Sequence, residues 1–137
     1  MERKSHMPLK VFLWVISIYH LAAGLAATFS QQLAIKMGSL LFGVQISATG
    51  EAQLLIRYLG VFGITFGILM AFAALNPEKN KSIIYGGIIY FAVRALDRIL
   101  FWKLLQEYSI GPLPNWGRII VILIMGLALF ILRPKSE

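Results

Sequence analysis

The chain has no cysteine, which excludes disulfides, thiolate metal sites and cysteine nucleophiles and leaves the redox compartment unread. Acidic residues are few: six Asp and Glu stand against thirteen Lys and Arg, for a formal net charge of +7. There are only two histidines; His6 lies in a polar tail, and His20 has no second histidine or carboxylate beside it in sequence. No metal centre, haem-ligand pair, nucleotide-binding glycine loop or nucleophile–base arrangement is therefore expected, and no cofactor or catalytic residue is assigned. The basic surplus does not read as nucleic-acid binding either, because no basic stripe is interleaved with aromatics. Lys and Arg sit instead at the chain ends and in short loops between apolar runs, as membrane topology requires.

Apolar residues dominate. They make up 58% of 137 residues, and mean hydropathy is +0.76, above the roughly 45–50% apolar content of soluble domains. The length allows one domain, and the runs divide it into four spans at about 9–29, 54–75, 82–106 and 117–133. The first run is too long for a signal-peptide core and is expected to be retained. Residues 30–53 are too polar and too glycine-broken to span; Leu33, Met37, Leu40 and Leu41 form one side of a short interfacial helix, with Lys36 reaching to head groups. Asn76-Pro77 stops the second span, and the loop IGPLPN precedes the fourth, with Asn115 as its expected cap. The predicted fold is an all-α, antiparallel four-helix membrane bundle with a short interfacial helix between the first two spans.

The third span, SIIYGGIIYFAVRALDRILFWKLLQ, organises the rest because it carries Arg94, Asp97 and Arg98. Each charge at the centre of a spanning helix costs roughly 2.5–3.5 kcal/mol, so these three must face protein or trapped water. Arg3, Lys4, Lys10, Lys79, Lys81, Arg133 and Lys135 fall on one side of a four-span topology, against Lys36, Lys103 and Arg118 on the other. Both termini are therefore expected in the cytoplasm. With that orientation Arg94 to Arg98 lie roughly 18–24 Å along the third helix, and Arg57 lies about 6–8 Å below the outer start of the second. The three arginines share the outer half of the membrane. In the first span Ser17, His20, Gly24 and Thr28 form one inward stripe that brings His20 near the same level, and Tyr90 stands one turn below Arg94.

Asp97 can pair with Arg94 on its own helix or with Arg57 across the bundle, but one carboxylate does not neutralise three guanidiniums. The surplus charge predicts a ligand site for a small amphipathic anion or lipid-like molecule, formed by Arg57, Arg94, Arg98, Asp97, His20 and Tyr90. In the second span Gly63 and Gly67 form a GxxxG pair that serves either a neighbouring helix of the same chain or a homo-oligomer.

The blocks KVFLWVISIYHLAAGL, LLIRYLGVFGITFGILM followed by NPEK, VRALDRILF and NWGR resemble the BphX-like family of small bacterial four-helix membrane proteins, and more distantly the DoxX-like group. The resemblance covers nearly the whole chain. It implies a bacterial inner-membrane protein with the same plan, carries over Arg57 with Gly60 and Arg94 with Asp97 and Arg98, and assigns no reaction. Two other functions remain open beside ligand binding. One is an accessory or scaffolding subunit of a membrane or aromatic-degradation system, with a purely structural charge cluster. The other, implied by the DoxX-like likeness, is a small quinone-linked oxidoreductase subunit in which His20, Tyr90 and Asp97 would supply protons.

Overall fold

A computed structural model describes residues 6–42, 49–107 and 111–134, with the backbone alone at 31, 37, 38 and 40–42. Every element among them is helical. The order is α1 (Met7–Phe29), α2 (Gln31–Phe42), α3 (Gly50–Leu75), α4 (Lys81–Leu100), α5 (Trp102–Glu107) and α6 (Pro112–Leu132). The helices α1, α3 and α6 are long and apolar enough to cross a membrane. The twenty residues of α4 have the length, but Arg94, Asp97 and Arg98 interrupt its apolar run.

The boundaries follow local chemistry. Thr49 caps α3, its Oγ1 accepting from the Ala52 N–H at 3.2 Å. At the other end Pro77 ends α3, and the Asn80 amide donates to the carbonyls of Phe72 and Asn76, both at 2.9 Å, satisfying two acceptors the helix leaves open. The tight turn that follows is clasped to the start of α1: the His6 imidazole lies 2.6 Å from the Glu78 carboxylate, which also takes Lys81 at 3.3 Å. Lost hydration acts to raise the Glu78 carboxyl, but hydrogen bonds from Lys81 and His6 outweigh it and leave the group below its ordinary value.

Helix α1 packs most extensively on α3, and α4 on α6; narrower contacts of α3 with α4 and of α1 with α6 close the ring. Glycine sets the first contact. A Cβ at Gly24 would lie 2.6 Å from the Ile64 nitrogen and 2.7 Å from the Gly60 carbonyl, so the two backbones touch where side chains would otherwise hold them apart. Ser17 adds a hydrogen bond across the seam, donating to the Gly67 carbonyl at 2.8 Å. Gly63 and Gly67 thus seat α1 of the same chain, the first of the two uses their spacing allows. The expected stripe of Ser17, His20, Gly24 and Thr28 faces inward, with the first three buried.

The apolar core lies toward the α3–α4 turn, where Leu13, Ile16, Met70, Ala73, Ile84 and Leu129 are all but fully buried. Outward faces are apolar as well: Phe62, Ile89, Ile124 and Ile131 are exposed. Such a surface is unfavourable against water and favourable against lipid tails.

Two expectations change. The third span does not run unbroken from 82 to 106: α4 ends at Leu100, the chain turns at Phe101, and α5 follows. No glycine or proline marks that turn; it falls where Trp102 stacks on Trp116 of α6, ring centroids 5.3 Å apart. Nor does Asn115 cap the last helix, because Pro112 starts it a turn earlier, with Gly111 as N-cap, and Asn115 is buried inside it. The short helix between the first two spans is present as α2, with Leu33 and Lys36 exposed. Met37, Leu40 and Leu41, expected on its apolar side, lie outside the described side chains.

Candidate functional site

The ring contact of Phe66 with Tyr90, centroids 4.4 Å apart, sets the register of α3 against α4. Because the two helices are antiparallel, nine residues toward the far end of each brings Arg57 level with Ile99, beside Arg98. On that register the arginines fall near one level along the axis. Around the axis they diverge: Arg57 is exposed on α3, Arg98 is buried against α6, and Arg94 is half-buried between.

Arg98 is 7% exposed and donates from one guanidinium nitrogen to the Asn115 Oδ1 at 2.7 Å. Asn115 is 1% exposed, so the bond is dry. It ties α4 to α6 through a charged donor and a neutral acceptor, and the cation keeps its charge. Arg94 and Arg118 lie close enough to repel it, and Asp97 close enough to attract it.

Arg94 faces the other flank of α4. Its guanidinium donates to the Tyr90 hydroxyl one turn back, at 3.2 Å, and lies 5.8 Å from the centre of that ring. Asp97 is exposed on the same flank. The expected pairing of Asp97 with Arg94 or Arg57 is not formed: among the described residues the carboxylate makes no ion pair with any of the three arginines. Arg94, on the same flank, turns back to the Tyr90 hydroxyl instead, and Arg98, one 100° step on from Asp97, turns in toward Asn115 of α6.

Gly86, Ile89, Tyr90, Val93, Arg94 and Asp97, all on one face of α4, line a shallow, wide-open groove of about 490 Å³ along this flank. One end is apolar and widened by the missing side chain of Gly86; the other carries a phenol, a guanidinium and a carboxylate. A second groove of about 240 Å³, between α4 and α6, is lined by apolar residues such as Ile88, Ile122 and Gly126 and offers no group to orient a ligand.

His20 stands behind Tyr90 in an aromatic box. Ring centroids lie 4.7 Å from Phe66, 5.8 Å from Tyr90 and 6.5 Å from Phe91. Of the six residues expected at the site, the structure brings Tyr90, Arg94 and Asp97 to one groove and sets His20 against its wall. Arg98 belongs to a helix contact, and Arg57 borders neither. Asn115 is the polar residue that sequence reasoning misassigned; it looked like a cap because it follows two prolines. Phe66 and Gly86 carried no signal in an apolar helix, where phenylalanine and glycine are common.

Set against known proteins, the chain matches no family profile, no curated protein and no solved structure.

Proposed function

We propose that the chain is a four-span membrane protein that binds a small amphipathic anion or lipid-like ligand in the α4 groove. The lining of that groove carries the proposal. Gly86, Ile89 and Val93 offer a track for an apolar tail, and Arg94 with Tyr90 offers a charged donor and a phenol to an acid group at its end. Asp97 beside them disfavours multiply charged anions and leaves a monoacid, such as a fatty or aromatic acid, as the best fit.

The four-span topology is supported by the place of α4, packed between the two span-length helices α3 and α6. Its buried charge is turned to α6 and hydrogen-bonded there, which lowers the cost of crossing. An even number of spans leaves both termini on one side, and the Lys and Arg distribution puts that side in the cytoplasm of a bacterial inner membrane. The BphX-like resemblance implies the same plan.

Arg98 favours a second reading for its own part of the cluster. Its bond to Asn115 fixes the register of α4 on α6 and suits a structural, scaffolding role. Native mass spectrometry of the protein released from native membranes separates the two. Ligand binding predicts a discrete small-molecule adduct lost on Arg94→Gln and kept on Arg57→Gln. Scaffolding predicts no adduct and a stoichiometric protein partner.

A further inference from the structure

The groove leaves one buried group of its own neighbourhood unused. His20 is 6% exposed, and its Nδ1–H donates to the Ile16 carbonyl at 2.8 Å, a bond that holds the ring in place. A neutral imidazole with its hydrogen on Nδ1 presents a lone pair at Nε2. That atom is fully buried and has no hydrogen-bond partner among the described residues. An acceptor left so is costly and calls for a donor. A lone water fits poorly, because it needs two to four polar partners. The rings around His20 belong to Phe66 and Phe91, with no polar group, and to Tyr19 and Tyr90.

Tyr90 belongs to both places: its ring borders His20, and it lines the groove. Its hydroxyl is held by Arg94. An acid group that takes the Arg94 guanidinium competes with that bond and releases Tyr90, the side chain that borders both His20 and the groove. Tyr90 and Arg94 are four residues apart, so the levels of the two contacts differ by roughly 6 Å along the helix.

Building on the ligand reading above, we propose that the groove takes a hydroxylated organic acid, its acid group on Arg94 and its O–H donating to His20 Nε2 about one helical turn deeper. An uncharged acceptor in an aromatic box repels a second anion and welcomes a neutral O–H. The aromatic walls favour a flat spacer between the two groups. A para-hydroxylated aromatic acid has its two groups at about this separation, whereas the ortho isomer holds them side by side.

Calorimetric titration of the detergent-purified full chain tests this with four probes: 4-hydroxybenzoate, 2-hydroxybenzoate, benzoate and decanoate. The expected result is that 4-hydroxybenzoate binds about five- to tenfold more tightly than benzoate or its ortho isomer, the worth of one neutral hydrogen bond. That preference disappears in His20→Phe, while Arg94→Gln weakens every acid. Equal affinity of wild type for 4-hydroxybenzoate and benzoate overturns the proposal without any variant, so it stays decidable if His20→Phe does not fold. Persistence of the preference in a folded His20→Phe overturns it too. Decanoate binding that depends on Arg94, with no preference for the para-hydroxyl, removes His20 from the site and leaves the groove reading standing. Failure of all four acids to bind wild type overturns both.

Discussion

A buried arginine bonded to an amide behaves differently from one bonded to a carboxylate. The Arg98–Asn115 bond orients the guanidinium without neutralising it, so the pair is worth what a hydrogen bond to a charged group is worth, about 1.5–3 kcal/mol. Asn115→Leu is expected to lower stability by that amount, because it leaves a buried cation without its acceptor. Asn115→Asp, which keeps the acceptor and adds a charge, is expected to retain it. Denaturant titration of the purified protein in mixed micelles measures both. Equal loss in the two variants would mean that the shape of Asn115 matters and its oxygen does not.

Among the elements, the α1–α3 seam depends on backbone contact. Gly24→Ala would push a methyl onto the Ile64 nitrogen and the Gly60 carbonyl, neither of which can move without shifting a helix. A loss at or above the upper end of the roughly 1–3 kcal/mol typical of overpacking is expected. Gly117→Ala in α6 meets nothing within 4 Å and gains helix propensity, so it is expected to be neutral or slightly stabilising. Unfolding midpoints of the two variants against wild type check the contrast. The seam was legible in the sequence because a stripe of small and polar residues in an apolar helix has few other uses. The break at Phe101 was not, since no glycine or proline marks it. The same limit governs the charge cluster. Spacing along the helices put the arginines at one level, but which flank each one takes depends on where α6 and α3 sit around α4. That is a tertiary fact absent from any single helix, and it separates Arg98 from Arg94.

For the whole molecule, the lack of cysteine is an experimental advantage: every thiol introduced is the only one present. A four-span topology places Lys79 in the α3–α4 turn and Lys103 in α5 on opposite sides of the membrane, because α4 lies between them. Lys79→Cys is expected to react with a membrane-impermeant maleimide only when the cytoplasmic side is open, and Lys103→Cys in intact spheroplasts. Labelling of both from the same side would mean that α4 does not cross and that the chain has three spans.

Binding of an amphipathic acid in the α4 groove is tested by filling the groove without touching the fold. Gly86 lines it and has no neighbour within 4 Å, so Gly86→Leu occupies the apolar track while the bundle stays intact. Decanoate titration is to be compared across wild type, Gly86→Leu and Arg94→Gln, each first shown to unfold at its own cooperative midpoint. Saturable binding to wild type is expected, and each substitution is expected to weaken it at least tenfold, one by blocking the tail and the other by removing the charge. Unchanged affinity in a folded Gly86→Leu would contradict binding in the groove.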